Sequence, residues 1–166
     1  MTGHAIRPVA TDDHDTLRRL NNDAAPAVNT LDPVAFTDLV RIAGSARVVE
    51  HEGRAAGFLI ALTPGADYDS LNYRWFEARY DAFLYIDRVV VDPAVHGVGL
   101  GAALYQDLIT LARTDGVPRL TCEVNLRPAN EGSMRFHRKL GFEPVGVQET
   151  EGGRKQVQLL CRALVS

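Results

Sequence analysis

Three glycines at alternate positions, Gly97, Gly99 and Gly101, separate a β-branched run from an apolar helical pattern in the stretch VVVDPAVHGVGLGAALYQDL (89–108). A glycine-rich turn that leads into a helix exposes backbone N–H groups at the positive end of the helix dipole, where phosphate binds. Glycine is needed in such a turn because a Cβ would hold the ligand away from the backbone. The stretch therefore predicts an anion-binding loop.

The spacing Gly97-x-Gly99-x-x-Ala102 also fits a dinucleotide-binding fingerprint, with Glu123 as the acid that would bind the ribose. In that fold, however, the first glycine directly follows a strand, whereas DPAVH intervenes here. Only about 65 residues then remain for the strands that a doubly wound sheet requires. A Walker loop is excluded because no Lys-Ser/Thr pair follows the glycines. Dinucleotide binding remains an alternative.

The hydrophobic patterns elsewhere in the chain predict one α/β (α+β) domain over residues 1–166. Strands are expected at 4–10, in a strand–turn–strand unit at 46–62, and at 82–91, 118–125, 142–150 and 154–165. Helices are expected at 11–25, within 29–45, near 71–79, and at 97–116 and 130–142. This order predicts a mixed central sheet of about six to seven strands flanked by helices.

The composition is that of an ordinary soluble globular protein, with 46% hydrophobic and 23% charged residues. A net charge of −3 without a basic stripe predicts no nucleic-acid partner. The chain shows no signal-peptide pattern and no run of transmembrane length, which predicts a cytoplasmic protein without a membrane partner. Cys122 and Cys161 lack metal-ligand spacing and are expected to be reduced core residues, and no metal site is predicted.

The stretch 89–108, followed after a strand by NEGSMRFHRKLGF (130–142), resembles the GNAT superfamily of N-acetyltransferases. Members carry Val-x-Pro before a loop of the form Arg/Gln-x-x-Gly-x-Gly/Ala, and then an Asn, a Tyr and Gly-Phe in the next helix. Either motif alone is weakly specific, but both in this order around a strand are specific. The resemblance covers the whole element order and is strongest over 82–144. It implies a GNAT fold, acetyl-CoA as the coenzyme and, from the habit of the family, a possible homodimer.

The resemblance also implies which residues bind the coenzyme. Loop residues whose backbone amides would face the pyrophosphate are His96, Gly97, Val98, Gly99, Leu100, Gly101 and Ala102. The strand before the loop would pair with the pantetheine arm through the backbone of Val89, Val90 and Val91. The later helix would contribute Asn130, Ser133 and His137, with Arg135, Arg138 and Lys139 nearby. His96 departs from the usual Arg or Gln.

Transfer of an acetyl group to an amine requires a deprotonated amine, a polarised thioester carbonyl and a stabilised leaving thiolate. Glu123 matches a position where several relatives place the general base. Asp87 is a second candidate, and its alternative role is a structural salt bridge to Arg88. His137 stands where the family commonly has a tyrosine acid, seven residues after Asn130. A histidine can donate a proton near neutral pH, or it can be an ordinary helix residue.

The acceptor amine would bind, by the same resemblance, at the first two helices and at the long connection before strand 82–91. Residues whose amide, carboxylate or aromatic groups suit a cationic ligand are Asn22, Asp67, Tyr73, Trp75 and Tyr80. The aromatic members of this set would alternatively attach the connection to the core.

The expected function is therefore transfer of an acetyl group from acetyl-CoA to the primary amine of a small molecule, by direct attack in a ternary complex. A protein or peptide amine is the alternative acceptor. A non-catalytic or regulatory acyl-CoA-binding module of the same fold is the alternative from another class. Such a module would tolerate the loss of both Glu123 and His137, whereas an enzyme would not.

Overall fold

A computed structural model describes residues 3–164 of the chain. These residues form a seven-stranded mixed sheet flanked by five α-helices, which confirms the predicted fold class. The strands are β1 His4–Pro8, β2 Ser45–His51, β3 Arg54–Leu62, β4 Leu84–Val91, β5 Arg119–Arg127, β6 Glu143–Thr150 and β7 Lys155–Ala163. The helices are α1 His14–Asp23, α2 Pro33–Ile42, α3 Leu71–Glu77, α4 Leu100–Thr114 and α5 Glu131–Lys139.

The chain divides into two compact units. Among the described residues, the first unit comprises 3–62 with Ile86–Leu111, and the second unit comprises Thr63–Tyr85 with 112–164. Strand β4 contributes residues to both. None of the helices within residues 3–164 has the length and apolar character that a membrane crossing requires.

In the first unit the strand order is β1-β2-β3-β4, and β2 is antiparallel to both β1 and β3. Helix α2 lies within the predicted range 29–45, and it begins after Asp32, which accepts a hydrogen bond from the Ala35 amide at 2.7 Å. Thr11 is a residue type that often caps a helix, but here it begins a 3₁₀ turn, Thr11–Asp13, that precedes helix α1. Within this turn the Asp13 side chain accepts from the Ala10 amide at 2.7 Å, and it makes no capping hydrogen bond to α1.

One glycine allows β3 to lie close to β4. A Cβ added at Gly57 would lie 2.7 Å from the carbonyl oxygen of Val90, a backbone atom that cannot move aside without shifting the strand. The side chains of β3 from Ala56 to Leu62 are buried. The close approach therefore fixes the backbone of β4 that the resemblance assigns to the coenzyme.

In the second unit the first residues of β4 pair in parallel with β5, and the order continues β5-β7-β6 with antiparallel pairs. The β6–β7 hairpin turns at Gly152 and Gly153, both with positive φ, between the strands predicted at 142–150 and 154–165. Helix α3 is hydrogen-bonded to β6, since Gln148 Nε2 donates to Asn72 Oδ1 at 2.9 Å. The predicted long connection is thus an ordered part of this unit.

Candidate active site

The glycine-rich loop of the first unit ends in helix α4. Gly97 and Gly99 have φ of 86° and 84°, a region that L-residues with a Cβ rarely adopt. A Cβ added at either position would meet no atom within 4 Å, so the space over the loop is open. The first helical bond runs from the Ala103 amide to the Gly99 carbonyl at 3.0 Å. The amides of Leu100, Gly101 and Ala102 therefore have no acceptor carbonyl within helix α4, and they can donate hydrogen bonds to an anion.

His96 begins this loop and binds back to the strand before it. Its Nε2 lies 3.0 Å from the Val91 carbonyl oxygen, which can only accept, so Nε2 carries the proton in this contact. The imidazole thereby closes the loop onto the end of β4 instead of extending toward a ligand. Val89 and Val91 are half-buried and the Val90 side chain is buried. This part of β4 can therefore contact a ligand mainly through its backbone groups.

Tyr85 and Glu123 form a hydrogen-bonded pair in the second unit. The Tyr85 hydroxyl donates to Glu123 Oε1 at 2.7 Å, and the register pairs Tyr85 with Thr121, two residues before the carboxylate. Glu123 is half-buried, and the Tyr85 ring is buried among Tyr73 and Phe76. A carboxylate held at one oxygen by a fixed donor is pre-oriented, which general base catalysis requires.

Asp87, the second candidate base, is paired with its neighbour in the first unit. Arg88 Nε donates to Asp87 Oδ2 at 2.7 Å, and the two side chains are only 4% and 6% exposed. A buried charge is stable only when it is paired and hydrogen-bonded. The geometry thus supports the structural salt bridge that the sequence offered as the alternative role of Asp87.

Asn130 and Ser133 open helix α5 in the second unit. The Asn130 side chain accepts from the Ser133 amide at 3.1 Å and caps the helix, so its Oδ1 is engaged while its amide nitrogen is suited to donate to a ligand. Asn130 is exposed and Ser133 is half-buried. The basic residues of this helix, Arg135, Arg138 and Lys139, are exposed.

His137 is buried near the end of α5. Its Nδ1 lies 2.8 Å from the Ser133 carbonyl oxygen, so Nδ1 carries the proton and Nε2 is the unprotonated nitrogen of the neutral ring. The ring packs edge-on against Phe136 and Phe142. Burial lowers the pKa of His137, and the Ser133 hydrogen bond opposes this effect only in part. The neutral ring is therefore the form present at neutral pH, and it is poorly suited to donate a proton to a thiolate.

The aromatic residues predicted to bind the acceptor have other partners within the second unit. The Arg79 guanidinium lies 3.7 Å from the centre of the Trp75 ring, and Arg119 lies 4.3 Å from that of Tyr80. Phe76 stacks nearly parallel to Tyr80. The rings of Trp75 and Tyr80 thus already interact with arginines of the chain itself, which argues against a role for them in binding a cationic acceptor.

Tyr73 and Asp67, the other candidates on this connection, differ in exposure. Tyr73 is fully buried, and its hydroxyl donates to the Thr63 carbonyl and accepts from the Ala66 amide. Burial raises the pKa of this hydroxyl. Tyr73 therefore orders the connection, while Asp67 is exposed and stays a candidate for contact with an acceptor.

Asn22, predicted to bind the acceptor from α1, holds the following loop in place. Its Oδ1 accepts from the Leu31 amide at 2.8 Å, and its Nδ2 donates to the Leu31 carbonyl at 3.0 Å. Sequence reasoning missed this role, and it also missed Tyr85 as the partner of Glu123. The one available signal was that a helix connects strands 82–91 and 118–125, a connection typical of parallel strands.

The family model of the Acetyltransferase (GNAT) family matches residues 15–142, which is most of the chain. The match includes both the glycine-rich loop and the Tyr85–Glu123 pair. The chain belongs to the GNAT acetyltransferase family.

Two curated relatives are similar to part of the chain. A glucosamine 6-phosphate N-acetyltransferase of Trypanosoma brucei brucei is 41% identical over 58 residues, which cover 35% of this chain and 36% of the relative. The peptidyl-lysine N-acetyltransferase YjaB of Escherichia coli (strain K12) is 33% identical over 81 residues, which cover 49% of this chain and 50% of the relative. The chain thus spans half or less of the length of each relative.

Solved structures share the fold over nearly the whole chain. Ard1 of Thermoplasma volcanium has a TM-score of 0.78 at 17% identity and covers 98% of this chain and 99% of its own. A ribosomal-protein-alanine N-acetyltransferase of Brucella melitensis has a TM-score of 0.76 at 20% identity and covers 96% of this chain and 99% of its own. At these identities the likeness establishes the fold alone.

Proposed function

We propose that the chain transfers an acetyl group from acetyl-CoA to a primary amine, with Glu123 as the general base. The observation that carries the proposal is the oriented Tyr85–Glu123 pair in a chain of the GNAT family. A non-catalytic coenzyme-binding module would not require a half-buried carboxylate fixed by a tyrosine hydroxyl. The pair therefore favours an enzyme over a sensor.

The loop from His96 to Ala102 fits the pyrophosphate of acetyl-CoA. At Gly97 and Gly99 the space that a Cβ would fill is open, so a phosphate can approach the backbone there. The first amides of α4 lie at the positive end of the helix dipole and would donate to that phosphate. Asn130 is proposed to donate from its amide nitrogen to the coenzyme arm. When bound, acetyl-CoA would supply a thioester whose acetyl carbon bonds to the amine nitrogen as its bond to sulfur breaks. The proton that the nitrogen loses in becoming an amide passes to the sulfur, so the coenzyme leaves as the thiol.

Glu123 takes the proton of the amine, directly or through one water molecule, so that a neutral nitrogen attacks. Tyr85 fixes Oε1 and keeps the carboxylate in one orientation. The remaining rate enhancement arises from proximity, since no protein nucleophile is required for direct attack. His137 has no proton-transfer role in this proposal, because its neutral ring directs its proton to the Ser133 carbonyl.

The narrower proposal is a small-molecule primary amine as the acceptor. The trypanosomal relative named for glucosamine 6-phosphate supports it, and exposed Asp67 offers a carboxylate to an ammonium group. The relative named for peptidyl-lysine supports the second candidate, a lysine side chain of a protein or peptide. Both acceptors present a primary amine, so the same base serves either one.

The test is release of free thiol from acetyl-CoA in the presence of glucosamine 6-phosphate, a lysine-containing peptide or a panel of small amines, with the acetylated product identified by mass spectrometry. Turnover with a small amine and not with the peptide supports the narrower proposal. Turnover with the peptide alone selects the second candidate. Saturable binding of acetyl-CoA without turnover of any amine would contradict the enzymatic proposal and favour a sensor.

A further inference from the structure

A buried arginine on β4 organises a polar network in the first unit. Besides its contact to Asp87, the Arg88 guanidinium donates from Nη1 to Asn21 Oδ1 at 3.0 Å and from Nη2 to Asn29 Oδ1 at 2.8 Å. Asn21 belongs to α1, and Asn29 belongs to the segment between α1 and α2. We call this segment, residues 24–32, the α1–α2 loop. One side chain thus joins a central strand, a helix and this loop.

The asparagines of α1 extend the network along the loop. Asn21 is fully buried and donates from Nδ2 to the Asn29 carbonyl at 3.0 Å. Asn22 binds both backbone groups of Leu31, as described above. The loop has no helix or strand of its own, and its first half is held by backbone hydrogen bonds such as that from the Ala27 amide to the Ala24 carbonyl at 3.0 Å. In its second half, the backbone groups of Asn29 and Leu31 are bound by side chains instead. The conformation of this second half is therefore determined at Asn29 and Leu31.

The network requires an arginine at this position. A planar guanidinium offers five N–H donors in a fixed fork, which lets one residue reach Asp87, Asn21 and Asn29 together. A lysine has a single nitrogen and cannot reproduce this fork. A neutral residue would leave the Asp87 carboxylate buried without its partner, which is strongly unfavourable.

We propose that Arg88 is a positioning residue for the acceptor: through Asn21 and Asn29 it holds the α1–α2 loop in the one conformation that binds the amine. Asp87 is then the counter-ion of this residue and not a second base. The inference rests on the proposed function, and on the expectation from the family resemblance that the acceptor amine binds at the first two helices.

The first test is hydrogen–deuterium exchange of the full chain, because it does not depend on catalysis. Asn29→Ala removes one acceptor of Arg88 at an exposed position and leaves the core intact. Exchange in the peptide that contains residues 24–32 is expected to become at least about tenfold faster, since native-state exchange reports local opening. Asn29→Asp keeps an acceptor oxygen for Nη2 and is expected to restore most of the protection.

Arg47→Met is the matched control. Arg47 is a half-buried arginine of the same unit, but its guanidinium binds Asp107, at 2.9 Å and 3.2 Å. Its replacement is expected to lower the overall stability without faster exchange in residues 24–32. Unchanged exchange in Asn29→Ala, or equally fast exchange in both variants, would overturn the positioning role.

The second test measures the KM of the acceptor separately from kcat. It uses the amine that the wild type acetylates, whether this is glucosamine 6-phosphate, the lysine-containing peptide or a small amine of the panel. Asn29→Ala is expected to raise the KM of the amine at least about fivefold, with kcat and the KM of acetyl-CoA within about twofold. An unchanged amine KM in a variant whose loop exchanges faster would overturn the link to the acceptor. If the wild type acetylates no sugar phosphate, peptide or small amine of the panel, the proposed function fails and the acceptor role of Arg88 fails with it, whereas exchange still reports whether Arg88 orders the loop.

Discussion

The hydroxyl of Tyr85 lies 2.7 Å from Oε1 of Glu123, at the place where β4 and β5 run parallel. The two residues are 38 positions apart in the chain. Because Tyr85 pairs with Thr121 and side chains two residues apart on a strand share a face, the register places Glu123 within reach of the hydroxyl. This contact connects the sheet register to the proposed chemistry.

Removing the base is expected to affect turnover far more than removing its orienting partner. Glu123→Gln keeps the shape and an acceptor for Tyr85 but cannot take a proton, so kcat should fall about 10²- to 10⁴-fold, the range of general base catalysis. Tyr85→Phe should lower kcat by only about tenfold, because a single orienting hydrogen bond contributes about 1–1.5 kcal/mol. Steady-state kinetics with saturating acetyl-CoA measure both changes.

Asp87→Asn does not serve as a control for this comparison, because it would leave Arg88 buried without its counter-ion. Glu143→Gln is suitable, since Glu143 is an exposed carboxylate of the same unit. It should leave kcat unchanged. A Glu123→Gln variant with wild-type kcat would contradict the assignment of the base.

The glycine-rich loop is expected to lose its ligand when a side chain is added. Gly99→Val would place a branched side chain over the open space of the loop, and the Kd for acetyl-CoA should rise at least about 30-fold, since a phosphate could no longer approach the backbone amides. The measurement is calorimetric titration of the folded variant.

Gly116→Val is the matched control for backbone strain. Gly116 follows the other end of α4, has a φ of 73° and has open space at its Cβ position. Both variants should lose stability by about 1–2 kcal/mol, the cost of a left-handed conformation for a residue with a Cβ. Only Gly99→Val should lose acetyl-CoA affinity, and equal loss in both variants would show that strain is responsible.

His137 is expected to contribute to stability rather than to proton transfer. His137→Asn keeps a donor for the Ser133 carbonyl but does not titrate, so kcat at pH 7.5 should stay within about threefold of wild type. The smaller side chain should lower the free energy of unfolding by about 1–2 kcal/mol, because it leaves a cavity beside Phe136 and Phe142. A fall of kcat by two orders of magnitude would restore the acid role.

The pH dependence of stability gives an independent measure of the same residue. Burial places the folded pKa of His137 below 6.5, its ordinary value, so the unfolded chain takes up the proton first as the pH falls. The stabilisation from the neutral ring is therefore complete above pH 6.5 and decreases as the pH falls toward the folded pKa. Urea unfolding between pH 7.5 and 5 should show this loss in the wild type and a smaller loss in His137→Asn.

Gly146 is expected to tolerate no side chain, because β6 packs there against the ordered connection. A Cβ at Gly146 would lie 2.5 Å from Cζ2 of Trp75, so the indole would have to move. Gly146→Ala should lower the free energy of unfolding by about 1–3 kcal/mol, as overpacking does. Gly3→Ala, which adds a Cβ in open space, should have no such effect in the same denaturation experiment.

The order of the elements could be predicted because local signals mark their ends. Asp32 and Pro33 mark the start of α2, and Gly152 and Gly153 mark the turn of the last hairpin. These signals depend on the backbone conformation of one or two residues, which the residue type restricts directly. The glycine-rich loop could be located for the same reason.

The partners of the site residues could not be predicted, because they depend on packing between distant segments. His137 fits the position of the family acid in the sequence, but only the structure shows that its ring is buried and its Nδ1 proton is directed to a carbonyl. The rings of Trp75 and Tyr80 suit a cation, as predicted, but the cations present are Arg79 and Arg119. Residue type predicts which interactions a side chain can make, whereas strand register and burial determine which residue it contacts.

Calorimetric titration of the purified chain with acetyl-CoA, with NADH in a parallel titration, shows directly which ligand the glycine-rich loop binds. Saturable binding of acetyl-CoA with a stoichiometry near one is expected, and no binding of NADH, because the loop precedes no doubly wound sheet. Binding of NADH without binding of acetyl-CoA would contradict the assignment of the loop and of the proposed reaction.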